Sequence, residues 1–390
     1  MEAIIRQEAR WILTQQLPGG AVVTAYPGQP KIVPYFAHLA LYGPAAWGLN
    51  LERVRAYLDW YLGRLEKPDR YGITGTVYDY YLEQRGEGEG ERTTFPSGVE
   101  IPAYTYDSSD SYAATFLTLV RRYYAASGDR AWVAQHLPEL ELVAGAMLAT
   151  LQRDNLTLAR PDWKVKYLMD NCEVYRGLKD YAWLLAQVGG YASEVWTCQP
   201  FGVEGRLVEV GGHASEAWMP GGQLGTVAEK KAGVQGGEVI KYETLAGKVK
   251  DAITAKMLLD GGYCPAIYRA GLRRRPNWKK WYPDALAQFF PIITGVLAPE
   301  DKTARRIYHN FLRNYPRWYE QTTPANFLTT LVVYAATLME DRWRVRQYIT
   351  GLQQNIIGPG HPWPYHAAEA GILLLALKFY LTGDAMEVVG

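Results

Sequence analysis

Residues 342–356, RWRVRQYITGLQQNI, and residues 364–381, PYHAAEAGILLLALKFYL, together decide the fold. The first stretch is amphipathic and rich in charge, and the second is apolar nearly all round. A helix with a polar stripe faces water, whereas one that is apolar on every side is buried. The two therefore read as an outer helix followed by an inner one. Working back toward the N-terminus, the same alternation recurs. Charged amphipathic segments at 2–17, 51–65, 130–153, 242–259 and 299–315 are each followed by one poor in charge and dense in Ala, Leu and aromatics, at 31–42, 108–126, 171–188, 284–296 and 324–338. Six alternations have one economical solution, a ring of inner helices coated by outer ones. The expected fold is all-α: a single (α/α)6 barrel domain over 1–390, a six-hairpin toroid with short β-hairpins in its connecting loops, at 73–81 and 263–272. The absence of any long period-two pattern excludes a sandwich or a Rossmann sheet.

Helix starts agree with this register. Asp107, Ser108 and Ser109 precede the second inner helix, Asp170 or Asn171 the third, and Pro324 falls in the first turn of the fifth, all residue types suited to N-cap or N1 positions. The loops into inner helices are the long ones, at 18–30, 66–106, 154–169, 261–283 and 358–363. In a ring of hairpins they share one face, and that face holds the functional cleft. The stretch 191–238 is Gly-rich and aperiodic, and reads as an insertion outside the ring, ordered as a β-ribbon or partly mobile.

Composition narrows the function classes. Hydrophobic residues make up 48% and charged ones 21% of the 390 residues, enough for a large core. A formal net charge of +1 points to neither nucleic acid nor an anionic membrane as partner. The longest apolar run, AGILLLAL at 370–377, is far short of the roughly 20 residues that a spanning helix needs. The N-terminus, MEAIIRQEARWILTQQL, lacks the apolar core and cleavage site of a secretion signal, so the chain as written reads as cytoplasmic, with a secreted form whose signal has been replaced as the alternative. Cys172, Cys198 and Cys264 have no metal-ligand spacing and read as reduced structural thiols. No metal-ligand cluster, phosphate loop or Ser nucleophile motif is visible, so no cofactor is expected, and oligomeric state is not legible. The 13 Trp and 29 Tyr against 9 Phe favour rings with a polar handle, natural partners for the flat faces of sugars.

Acids concentrate at the inner helices. Asp107 and Asp110 open the second, Asp170 and Glu173 the third and Asp284 the fourth; Glu320 precedes the fifth and Glu369 lies in the sixth. Acids at helix starts commonly cap N–H groups, but capping does not explain Asp110 and Glu173, three residues further in. Buried unpaired carboxylates are costly, and several around one cleft suggest a site that uses raised and lowered pKa values together. Paired carboxylates in an aromatic cleft are the apparatus of glycoside hydrolysis. Aromatics accompany the acids: Tyr106, Trp163, Trp281, Tyr282 and Tyr365 beside them, and Tyr78 next to Asp79 on the long second loop.

The chain resembles the six-hairpin glycosidase superfamily. DNCEVYRG at 170–177 is similar to the glucoamylase motif that carries the general acid, which implies Glu173 in that role; the family's next Glu is Val174 here. YDSSDSYAA at 106–114 resembles the D-x-x-D stretch lining the central subsite of the inverting bacterial cellulases and chitosanases. YPDALAQFFP at 282–291, which includes Gln288, is similar to their stretch carrying the general base, which implies Asp284 as base, with Asp110 as rival. The acid Glu of that family's first inner helix has no counterpart, because Pro34 and Tyr35 stand there. The resemblance implies an inverting glycoside hydrolase, with a carbohydrate as its partner. Two other classes compete on the same architecture: a sugar 2-epimerase or polysaccharide lyase using His38, His361, His366 or a tyrosine, and a barrel that binds carbohydrate without turning it over. The basic run RRRPNWKKW at 273–281 is a solvated loop or a neutraliser of anionic sugar.

Overall fold

The computed structural model describes residues 1–24, 30–83, 99–189, 227–320 and 327–383. The outer helices are α1 (Glu2–Thr14), α3 (Leu51–Leu62), the pair α5 (Arg130–Gln135) and α6 (Leu137–Leu148), α8 (Val227–Met257), α10 (Lys302–Asn314) and α12 (Arg342–Leu352). They alternate with the inner helices α2 (Pro34–Trp47), α4 (Ser109–Ser127), α7 (Leu168–Val188), α9 (Phe290–Ile293), α11 (Thr329–Leu338) and α13 (Ala367–Thr382). Each inner helix packs on the next, and α13 returns to α2, so the ring closes. The expected all-α six-hairpin barrel is the observed one. Among the described residues no helix is long and apolar enough to cross a membrane.

Composition explains the burial. Ten of ten residues of α11 and the whole of 367–377 in α13 are buried, whereas in α10 only Ala304, Ile307, Tyr308 and Phe311 are, the i, i+3, i+4, i+7 set of an amphipathic helix. Where the ring closes, small residues let the backbones meet. A Cβ on Gly371 of α13 would lie 2.1 Å from the Leu39 carbonyl oxygen and 2.4 Å from that of Ala40 in α2, and one on Gly43 would lie 2.4 Å from the Leu374 Cβ.

Several boundaries differ from expectation for identifiable reasons. The fourth inner helix, expected over 284–296, is broken: a wide turn at Trp281–Ala285, with Tyr282 extended, precedes the short α9. Pro283 and Pro291 each remove an N–H from the ladder here. Helix α7 starts at Leu168 with Tyr167 as N-cap, so Asp170 lies inside the first turn. Helix α8 starts at Val227, so residues 227–238, read as the end of an insertion, are helical; residues 191–226 of that insertion, with Cys198, lie outside the described residues, as does Pro324. Short antiparallel strands do occupy the connecting loops. Lys31–Ile32, Tyr80–Glu83 and Val99–Pro102 form one sheet, and Lys166–Tyr167 pairs with Ala266–Ile267. The second pairing ties the loop before α7 to the loop before α9 across the face where the long loops meet.

Candidate active site

The loops into the inner helices surround a cleft of about 390 Å³. Its floor and walls carry Asp79, Asp107 and Asp170 together with Lys31, Tyr35, Phe36, Ser111, Tyr112, Met169, Tyr282, Phe290, Phe327 and Leu328. A smaller chamber of about 50 Å³, lined by Glu173, Arg176, Tyr42 and Thr294, adjoins it toward the barrel interior, and Tyr35 and Phe290 belong to both walls. The Tyr35 hydroxyl donates to Glu173 Oε1 at 2.8 Å. Thus Asp170 and Glu173, one turn apart on α7, face the cleft and the chamber beneath it.

The electrostatics separate the acids. Burial pushes Glu173 well above the usual carboxylate range, with Asp110 adding to the rise and the Tyr35 hydrogen bond opposing it. Asp170 is likewise held well above it, first by burial and then by Asp110, Glu173 and Asp107. Its Oδ2 is buried and meets no hydrogen-bond partner among the described residues. Burial pushes Asp79 up to about 7 against a hydrogen bond from the Tyr112 hydroxyl at 3.0 Å. Asp107 stands at the exposed edge of the cleft; burial raises it while Arg160 pulls it down. All four carboxyls are thus raised, Asp107 alone with a cation opposing the rise, and carboxyls tuned apart by their surroundings are what acid–base chemistry uses.

The two residues expected as bases are placed elsewhere. Asp284 is fully buried behind the wall, and its oxygens accept from Arg274 at 2.6 and 2.9 Å and from the Asn277 N–H at 2.9 Å. Burial alone would raise it, but Arg274 and Asn277 outweigh burial and hold it below the usual carboxylate range. Asp110 is also fully buried, accepting from the Thr157 hydroxyl at 2.5 Å and the Ser111 N–H at 2.9 Å, and burial pushes it up to about 7. Neither lines the cleft.

Of the expected sugar-binding residues, Asp79, Asp107, Asp170 and Tyr282 line the cleft, and Trp163 stands half exposed, its Nε1 donating to the Tyr167 hydroxyl. The others do structural work. Tyr106 donates to Asp69 at 2.6 Å, the Tyr78 hydroxyl accepts from the Arg70 N–H, and Trp281 donates to the Phe327 carbonyl at 3.0 Å. Gln288 bonds both the N–H and the C=O of Tyr263. Glu320 pairs with Arg317, Tyr365 donates to the buried Glu8, and Glu369 accepts from the Thr329 and Thr330 N–H groups at the start of α11.

The histidines do not line the cleft. His361 bonds Glu8 at 2.9 Å and stacks on Trp11, His366 is buried against Phe327 and lowered to about 4 by burial, and His38 is buried against Thr115. Sequence reading missed Tyr35, Phe36, Tyr112 and Phe327. Tyr35 was reachable, because it occupies the first turn of an inner helix, as Asp110 and Asp170 do.

No protein-family model and no curated protein matches the sequence. Solved structures do resemble the fold. A glycosidase variant in complex with glucose superposes with a TM-score of 0.58 at 11% identity, covering 99% of this chain and 96% of that one. An alpha-amylase from Clostridium perfringens gives 0.54 at 11% identity over 97% and 98% of the two chains. A rhamnosidase from Klebsiella oxytoca with rhamnose bound gives 0.54 at 13% identity over 97% of this chain and 64% of its own. At such identities the likeness speaks for the fold alone: the chain is a six-hairpin helical barrel of the kind on which these glycosidases are built.

Proposed function

We propose that the chain is an inverting glycoside hydrolase that binds its sugar in the cleft among the loops into the inner helices. The observation that carries this reading is the convergence of Asp79, Asp107 and Asp170 on one aromatic-walled cleft, with Glu173 in the chamber that adjoins it behind Tyr35 and Phe290. Glu173, kept protonated by burial, is the general acid. Its proton goes to the glycosidic oxygen as the bond from that oxygen to the anomeric carbon breaks. Asp107, the exposed member whose rise is opposed by Arg160, is the base: it takes a proton from a water whose oxygen bonds the anomeric carbon from the opposite face of the sugar. Asp170 Oδ2, without a partner, is satisfied by a sugar hydroxyl. Tyr282 and Phe327 offer faces for stacking. Inversion needs roughly 6.5–9.5 Å between carboxyls, room for an attacking water, and packed helices generally lie about 8–10 Å apart. Similar barrels named as glycosidases, one holding glucose and one rhamnose, support the substrate class.

The test is a panel of oligosaccharides with product analysis, run on the wild type, Glu173→Gln and Asp107→Asn. Both substitutions should abolish cleavage of the sugar that the wild type hydrolyses. Full activity in Glu173→Gln would remove Glu173 from the acid's role.

A further inference from the structure

A second feature of the cleft face has no part in bond cleavage. Between Asp260 and Asp284 the chain carries Arg269, Arg273, Arg274, Arg275, Lys279 and Lys280 and no acid, although the whole protein has a net charge of only +1. Residues 268–275 are exposed throughout, and so are Lys279 and Lys280. The loop is nonetheless fixed. Ala266–Ile267 pairs with Lys166–Tyr167 ahead of α7, Ile267 bridges to Arg273, and Arg274 with the Asn277 N–H clasps Asp284. It runs directly into Tyr282, which lines the cleft. Lys31 lines the same cleft, and Arg160 acts on Asp107 at its edge. Cations thus stand on the cleft wall, at its edge and on the loop leading into it, beside the acids Asp79 and Asp170, which burial holds toward their neutral forms. Cations so placed concentrate anions near the cleft, and acids so held repel them less than the composition suggests.

We infer that the sugar this site takes is anionic, a polysaccharide bearing carboxylate or sulfate groups, with the 269–280 loop holding its charges beside the scissile unit. The inference rests on the carbohydrate reading above but not on turnover. It is tested by titrating the full-length protein with matched pairs of oligosaccharides, oligogalacturonate against its methyl ester and a sulfated glycan against its desulfated form, in the wild type and in Arg275→Ala/Lys279→Ala/Lys280→Ala. These side chains are exposed, so the variant should fold, which its melting curve checks. The charged member of a pair should bind more tightly, lose about tenfold in affinity in the triple variant, and weaken as salt is raised. Binding of an acidic sugar without cleavage would sustain the inference and overturn the hydrolase reading. Cleavage of a neutral sugar with a KM indifferent to salt and to the triple variant would do the reverse. Equal binding within each pair, no binding to any member, or loop-dependent binding of DNA instead of sugar would each overturn the inference.

Discussion

Gly371→Ala probes the closure of the ring. The added methyl would stand 2.1 and 2.4 Å from two carbonyl oxygens of α2, where ordinary contact needs well over 3 Å, and backbone atoms in a closed ring have nowhere to go. Overpacking of this kind costs about 1–3 kcal/mol, with more expected when the obstacle is backbone. The better helix propensity of Ala returns about 1 kcal/mol. The balance is a loss of about 2 kcal/mol. Unfolding entropy of about 2.1 cal/mol/K per residue implies about 0.8 kcal/mol/K for a chain of this length, so Tm should fall by about 2–3 °C. Gly145→Ala on the outer α6 is the control, because nothing lies within 4 Å of its new Cβ; it should raise Tm by about 1 °C. Differential scanning calorimetry of both variants reads the contrast. A Gly371→Ala protein as stable as Gly145→Ala would mean that α13 and α2 do not meet as described.

Asp284→Asn should lower stability by about 1–3 kcal/mol, discounted because Arg274 can return to water, while leaving kcat within a few-fold of wild type; an unchanged Tm with kcat lost by orders of magnitude would restore Asp284 as the base. In Tyr35→Phe the loss of a bond that favours ionised Glu173 should move the alkaline limb of kcat/KM to higher pH, and a limb that stays or moves down would uncouple the pair. Asp79, Asp110 and Glu369 are raised to about 7 from 3.8, 3.8 and 4.5. A raised carboxyl favours the folded state while protonated, so the stability it contributes is lost as pH climbs from about 4 to 7. Tm should therefore be higher at pH 5.5 than at pH 8; the reverse order would show these groups ionising freely in the folded protein.

The barrel was legible because inner and outer helices differ in composition along their whole length, and burial follows composition. Boundaries were less so. Pro283 and Pro291 break the fourth inner helix, though the residues around them keep the expected apolar character. The site was half legible. An acid in the first turn of an inner helix looks the same in sequence whether it faces the cleft, as Asp170 does, or is clasped by an arginine, as Asp284 is. Which fate it meets depends on partners brought in by the fold: Glu369 caps a helix that begins 40 residues earlier, and Tyr365 bonds Glu8 from the far end of the chain. Tyr35 stands where the cellulase-like pattern would have an acid, and its residue type alone does not mark it as the partner of Glu173.

The central claim, hydrolysis with inversion in this cleft, is tested most directly by proton NMR of the wild-type reaction from the moment of mixing with the oligosaccharide that the panel identifies. A new reducing end should appear first in the anomeric configuration opposite to that of the bond cleaved, and mutarotate afterwards. A first product that retains the configuration would contradict inversion, and interconversion of free sugars at C2, or binding with no new signal at all, would contradict hydrolysis itself.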